Sequence, residues 1–316
     1  MRVAVVIPSF KVSSTILELI DQIGSEVQDI FVVDDACPEK SGQVVVMHST
    51  DSRVKVIFHE KNLGVGGAVK TGYQEALKHG CDIIVKIDGD GQMNPKLIME
   101  FIEPIVLNKA DYVKGNRFNN FSHLKQMPKI RIIGNLVLSF FTKFSSGYWN
   151  IFDPTNGYTA IRTSIFPELN FQKMSNRYFF ESDILFHLYL SRAVVLDLPM
   201  VAIYGQEKSN LRILRVIPEF GFKHFRNYFK RILLTYLIRD FNYASVQLVV
   251  GLALSSIGTV IGFRNWIVSA QNQTATPPGT LILVALFLIL GFQLILGFLS
   301  HDSTNIPNKI RGKYYE

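Results

Sequence analysis

Two uncharged apolar runs near the C-terminus constrain what this chain can become more than any other feature. Residues 244–263, ASVQLVVGLALSSIGTVIGF, and 281–299, LILVALFLILGFQLILGFL, contain no Asp, Glu, Lys or Arg over 20 and 19 positions. An α-helix rises about 1.5 Å per residue, so each run matches the roughly 30 Å of hydrocarbon in a bilayer. The runs lift the mean hydropathy to +0.19. Between them, residues 264–280 carry the single cation Arg264, whereas the tail holds Lys309, Arg311 and Lys313 and the stretch before the first run is strongly basic. The positive-inside rule then places the N-terminal part and the tail in the cytosol.

Upstream of the runs, a composition of 48% hydrophobic and 19% charged residues is enough for a sizeable globular core. From residue 1 to about 210, β-rich segments at 3–7, 29–33, 54–58, 83–87 and 112–114 alternate with helical patterns at 14–23, 65–78 and 95–106. This spacing predicts βαβ units and a mostly parallel sheet flanked by helices, an α/β domain. The opening MRVAVVIP reads as its first strand, because the apolar run is too short for a signal-peptide core and no small-residue cleavage site follows. Cys37 and Cys81 fall inside the domain and are expected as reduced thiols. Residues 211–243 interleave aromatics with Arg215, Lys223, Arg226, Lys230, Arg231 and Arg239, the composition of an amphipathic helix lying among lipid headgroups. The chain thus divides into 1–210, 211–243 and 244–316. Its net charge of +7 comes without any nucleic-acid-binding motif, so nucleic acid is not an expected partner.

In a parallel sheet the ligand sits beyond the carboxyl ends of the strands. Two acidic segments fall there. KIDGDGQMNP (86–95) sets Asp88, Asp90 and Gln92 at alternate positions, and FVVDDACPEKSG (31–42) ends a strand in Asp34 and Asp35. Carboxylates at a strand end are hard oxygen donors for Mg²⁺ or Mn²⁺, and Mg²⁺ is commonly shared between one or two carboxylates and substrate phosphates. A nucleoside-diphosphate ligand follows from that pattern. A lone Asp-x-Asp is weak, and the competing reading is a turn relaxed by Gly89 and Gly91 and capped by the acids. The glycine-rich NLGVGGAVKTGY (62–73) permits close backbone approach, but it has neither the Gly-Lys-Ser/Thr of a Walker loop nor the third glycine of a dinucleotide fingerprint.

As an ordered set, VVIPSF, VVDDACPEKSG, NLGVGGAVKTGY, KIDGDGQMNP, GNRF, DPTNGYTAIR and FFESDIL resemble glycosyltransferase family 2, the GT-A fold. The resemblance covers about residues 3–210 and is greatest to the polyprenyl-phosphate glycosyltransferases. It implies that Pro8, Asp34, Asp35, Asn62, Gly64, Lys70, Asp88 and Lys208 bind the nucleotide sugar, and that Asp88, Asp90 and Gln92 hold the metal. It further implies that Asp90, Asp153, Arg117 and Arg131 serve catalysis, the arginines and Lys208 being candidates for holding diphosphate or the lipid phosphate. Glu181 and Asp183 would line the acceptor side, although Glu181 also fits as a cap for a helix beginning near Ser182. The chain departs from the family's pattern at Phe10-Lys11-Val12 and at Ala36-Cys37, which weakens any base contact from those side chains.

The activity implied is transfer of one hexose, foremost glucose from UDP-glucose, to a polyprenyl or dolichyl monophosphate at the cytosolic membrane face, with inversion and with Mg²⁺ or Mn²⁺. The Gln-x-x-Arg-Trp signature of processive synthases is absent, which favours single-sugar transfer. Alternatives are the same chemistry from GDP-mannose, transfer to a hydroxyl with Asp153 as base, and a silent membrane binding module. Homo-oligomers through the basic helix or the apolar runs fit the sequence equally.

Overall fold

The computed structural model describes residues 1–118, 129–201 and 213–310, with side chains from 132 and 218 onward in the last two segments. The chain forms two units, residues 1–228 with the tail from 307, and residues 229–306.

The first unit is built on a seven-stranded sheet. Its strands are β1 Val3–Ser9, β2 Asp29–Asp34, β3 Val54–Phe58, β4 Ile83–Lys86, β5 Tyr112–Asn116, β6 Thr159–Arg162 and β7 Val195–Pro199. They lie in the order β3-β2-β1-β4-β6-β5-β7, with β6 antiparallel to both neighbours and the other pairs parallel. Helices α1 Ile16–Asp21, α2 Ser41–His48, α3 Val65–Lys78 and α4 Ile98–Val106 make the early crossovers. Helices α5 Lys129–Ser146 and α6 Phe180–Leu190 flank β6, and α7 Ile213–Ile232 crosses into the second unit. β2 and β4 are buried along their whole length, as runs rich in Val and Ile should be when helices cover both faces of a sheet. The main cluster joins Val5, Ile7, Val32 and Val85 to Ile20, Phe101 and Tyr158, whose ring stacks on Phe101 at 4.0 Å.

The predicted strands and helices of the first 106 residues stand close to their expected positions, β3 and α3 with the same bounds. Missing from the sequence reading are α2, α5, β6 and β7, while the helix expected to begin near Ser182 is α6, starting two residues earlier. The β6 segment TAIR is four residues long and pairs antiparallel, and periodicity over four residues has no power to distinguish a strand.

In the second unit, α7 passes into a π-helical turn, Leu233–Arg239, followed by α8 Tyr243–Asn272 and α9 Pro278–Thr304. Asn242 opens α8 with a capping box, accepting from Ala244 N at 2.9 Å while its own N–H donates to Ser245 Oγ at 3.0 Å. Both α8 and α9 are long and apolar enough to cross a membrane, as the two uncharged runs predict. They pack through small residues. A Cβ at Gly251 would stand 3.0 Å from Gly291 O, and one at Gly291 would meet Ser255 Oγ at 2.4 Å.

Between the segment before α8 and the end of α9 sits a fully buried ion pair. Arg231 donates to both oxygens of Asp302, at 2.5 and 2.8 Å, and Tyr236 Oη donates to the same carboxylate at 2.9 Å. The lipid-facing role expected for Arg231 is therefore corrected: its guanidinium has no exposed surface and is bound inside the protein. Lys223 is drawn to Glu219, one turn away at 2.6 Å. Removing one member of a buried pair strands the other charge, so Asp302→Ala should destabilise this unit by about 3–5 kcal/mol. The paired replacement Arg231→Met with Asp302→Leu should recover most of that loss in thermal unfolding in one detergent. A double variant as unstable as the single would show that the pair is not what holds these helices.

Candidate active site

The sheet order sets the place of the site. From β1 the chain steps outward through β2 to β3, then returns to the other side of β1 for β4, so the strand order reverses between β1 and β4. That reversal opens a crevice at the carboxyl ends of these strands. Pro8 near the end of β1, Asp34 at the end of β2 with Asp35 just after it, and Asp88 and Asp90 after β4 are thereby brought to one edge.

The 88–92 segment is a turn. Extended geometry, in which alternate side chains share one side, stops at Lys86; Gly91 adopts φ +73, and Gln92 N donates to Asp90 Oδ1 at 3.0 Å. The turn is held against the loop after β1, where Thr15 Oγ1 donates to Gly89 O at 2.7 Å. Asp90 and Gln92 are half-buried. The Asp88 carboxylate lies 2.8 Å from the ammonium of Lys86.

Lys86 was not singled out in the sequence, yet it organises this side of the crevice. Its Nζ lies between Asp88 Oδ1 at 2.8 Å and Glu181 Oε1 at 2.7 Å, and its side chain is fully buried. Burial alone would depress its pKa, but the two carboxylates more than offset that and hold the ammonium above its ordinary value. Across the sheet, Lys86 is in register with Thr159, Thr159 with Lys114, and Lys114 with Asp197. The four side chains form a polar row over β4, β6, β5 and β7. Glu181 reaches both lysines from α6, Lys114 Nζ being 3.7 Å from Oε2. Lys114 is fully buried, and burial pushes its pKa down. At the end of the row, burial raises Asp197 to about 6. Gly157 is required beside the row, because a Cβ there would stand 2.2 Å from Asp88 Oδ2 and 2.4 Å from Lys86 Nζ.

Arg117 and Asp153 come together, as two segments 36 residues apart. The guanidinium donates to Asp153 through Nε at 2.7 Å and Nη2 at 2.9 Å, a bidentate pair in which Asp153 has no exposed surface. Glu181 and Asp183 sit in the first turn of α6, on different partners. Asp183 accepts from Ser175 N at 2.7 Å and from Asn227 Nδ2 at 2.8 Å.

The remaining expected contacts are engaged within the fold. Asp34 accepts from Cys37 N at 2.7 Å and Gly42 N at 2.6 Å, which shapes the turn into α2. Asp35 accepts from Leu63 N at 2.8 Å and Gly64 N at 2.7 Å, and pairs with His59 Nδ1 at 2.8 Å; Asn62 Nδ2 donates to Asp35 O at 3.2 Å. Between these two turns Ala36 holds φ 53, a left-handed conformation that favours glycine. The close approach permitted by the glycine-rich run is filled by the chain itself: a Cβ at Gly64 or Gly66 would stand 2.6 Å from the Asn176 or Ser175 carbonyl oxygen. Lys70 donates to Met174 O at 3.1 Å and to Asn176 Oδ1. Lys208 and the side chain of Arg131 lie outside the described residues.

The donor set fits a divalent ion that is shared with a ligand. No group of three or more His, Cys, Asp or Glu side chains suited to a metal occurs among the described residues. What the protein offers is Asp90 and Gln92, with Asp88 already pulled toward Lys86, and the rest of the coordination shell would be diphosphate and water.

Comparison with known proteins gives the family and the fold. A UDP-N-acetylglucosamine–dolichyl-phosphate N-acetylglucosaminyltransferase of Methanococcus voltae is 31% identical over 234 residues, 70% of this chain and 92% of that protein. An undecaprenyl-phosphate mannosyltransferase of Micrococcus luteus is 27% identical over 190 residues, 59% of this chain and 77% of that one. The crystal structure of glucosyl-3-phosphoglycerate synthase from Mycobacterium tuberculosis, with Mn²⁺, UDP and glucosyl-3-phosphoglycerate, is similar at a TM-score of 0.50 and 17% identity, covering 73% of this chain and 79% of that one, which shows the GT-A fold alone. Residues 4–169 match glycosyl transferase family 2, and with the relatives above this establishes that the chain is a glycosyltransferase belonging to that family.

Proposed function

We propose that the chain transfers one hexose from a UDP-sugar to a polyprenyl monophosphate, with inversion at the anomeric carbon, at the cytosolic face of a membrane. The observation that carries this reading is the acidic 88–92 turn at the β1/β4 reversal, in a chain that also has two membrane-length helices. The relatives named for dolichyl- and undecaprenyl-phosphate transfer support the acceptor class, and the Methanococcus voltae protein supports a UDP donor.

The pairing of Arg117 with Asp153 favours a phosphate acceptor over a hydroxyl. A hydroxyl needs a base to take its proton, and Asp153 is buried and clamped by a guanidinium on both oxygens. A phosphate monoester is already anionic near neutral pH, its second ionisation lying at about pKa 6. The residues then need only bring its oxygen in line with the anomeric carbon. Asp153 holds Arg117 extended toward the phosphates, and Arg131 and Lys208 are proposed to complete the cationic side. On the donor side Lys86 and Glu181 fix Asp88 for the ribose. Asp90 and Gln92 would hold Mg²⁺ or Mn²⁺, which when bound supplies positive charge against the departing diphosphate.

The test is to incubate the purified chain with UDP-glucose, UDP-N-acetylglucosamine or GDP-mannose and with undecaprenyl or dolichyl phosphate, and to weigh the lipid product. GDP-mannose as the preferred donor, or no sugar on any prenyl phosphate, would overturn the proposal.

Three outcomes follow for variants and topology. Asp90→Asn should lower turnover at least about a hundredfold, the loss of one main electrostatic contribution of roughly 3 kcal/mol, with folding intact; full activity would reduce the acids to turn residues. Lys86→Met should lower kcat/KM for the donor about tenfold or more, and adding Asp88→Asn should then cost much less than Asp88→Asn alone, since both changes remove one contact. Independent, additive losses would separate Asp88 from Lys86. Cysteine labels at Gln273 and Lys309 should react from opposite sides of the membrane, and reaction of both from the cytosolic side would remove the two-span topology.

A further inference from the structure

Helix α5 turns its polar side inward. Ser139, Thr142, Ser145 and Ser146 are at most 3% exposed. Thr142 Oγ1 and Ser182 Oγ of α6 are 3.2 Å apart, Ser145 Oγ meets His224 Nδ1 of α7 at 2.8 Å, and Ser146 Oγ accepts from Tyr148 N at 3.3 Å. The other side presents Ile133, Leu136, Val137, Phe140 and Phe141, 46–58% exposed. At about 100° per residue these five fall within an arc of roughly 140°, centred opposite the buried hydroxyls. A helix packed on a domain in water shows the reverse pattern. An exposed run of large apolar side chains marks a surface that something apolar covers.

The patch continues onto α7 within the same unit. Phe144 stacks on Tyr228 at 4.3 Å and Phe141 on His224 at 6.1 Å, and beyond them Phe222 and Phe225 are exposed, interleaved with the cations Lys223 and Arg226. Aromatic and aliphatic side chains bordered by cations suit the boundary between acyl chains and anionic headgroups. A bilayer is also within reach. Of the 14 residues from 229 to 242 that separate Tyr228 from α8, 229–239 are helical, so at roughly 1.5 Å per helical residue and about 3.5 Å for each of the rest they reach about 30 Å, and α8 is itself long enough to span.

We propose that the outer face of α5, together with the exposed aromatics of α7, is a lipid-binding surface that seats the catalytic domain in one leaflet of the bilayer. The proposal rests on the reading of the chain as a membrane enzyme and adds a part of the catalytic domain itself to the membrane contact. Because the inner face of α5 is bonded to Ser182, the neighbour of Glu181, the depth at which α5 sits sets the height of the charged row above the lipid.

The test uses the full chain in vesicles of phosphatidylcholine and phosphatidylglycerol, with one nitroxide at a time on Val137→Cys, Phe140→Cys, Ile289→Cys in α9 or Lys78→Cys on the exposed end of α3; Cys37 and Cys81 are buried, and the parent chain is the blank. Collision with oxygen should exceed collision with a water-soluble nickel chelate several-fold at 137, 140 and 289, and fall below it at 78. A lipid signature at 289 with a water signature at 137 and 140 overturns this proposal and leaves the membrane reading standing; a water signature at all of them overturns both. Spin–spin broadening at 137 and 140 that vanishes on dilution with unlabelled chain would make a second copy the occupant. A lipid signature that appears only when polyprenyl phosphate is added would make the acceptor's chain the occupant. Either result overturns the proposal.

Discussion

An ammonium group buried in the middle of a sheet must be answered by a carboxylate, and the arrangement of the catalytic unit follows from that requirement. Lys86 has no access to water, and without Glu181 and Asp88 its charge would cost several kcal/mol. Glu181 comes from α6, nearly a hundred residues later, so the contacts of Lys86 behind the acidic turn are complete only when α6 brings Glu181 to it. The same carboxylate faces Lys114, which extends the dependence to β5 and β7. The site is therefore assembled by electrostatic satisfaction across the sheet as much as by the loops at its edge.

Much of this was legible in the sequence. The apolar runs at 3–7, 29–33 and 83–87 required strands covered on both faces, and the acids following them required a crevice at their ends. The resemblance across residues 3–210 fixed the fold family. The apolar segments 244–263 and 281–299 lie within α8 and α9, α8 running nine residues further at its C-terminal end and α9 extending past the run at both ends.

Other parts were hidden for physical reasons. A lysine inside an apolar strand reads as the strand's polar edge, and nothing local distinguishes Lys86 or Lys114 from a solvated residue until register aligns both with Thr159. Arg231 looked like one more headgroup-facing cation because its partner Asp302 lies 71 residues away. The side-by-side acids Asp34 and Asp35 carry the chemistry of ligand contacts, yet their oxygens organise two turns through backbone amides. The alternation of Asp88, Asp90 and Gln92 suggested extended chain, while Gly91 turned it through a positive φ, which a residue without a Cβ adopts at least cost.

The ion pair between Arg231 and Asp302 also bears on how the protein is made. Arg231 leaves the ribosome first, and its partner follows 71 residues later. At roughly 5–20 residues per second that interval is on the order of 4–14 seconds. Throughout it, both membrane-length helices are being synthesised and the Asp302 carboxylate is not yet there to meet the guanidinium. Asp302 arrives within the last three residues of α9 and closes the pair only when the second span is complete. The pair thus ties the end of the second long helix back to the segment that precedes the first, and it can form only after both have been made.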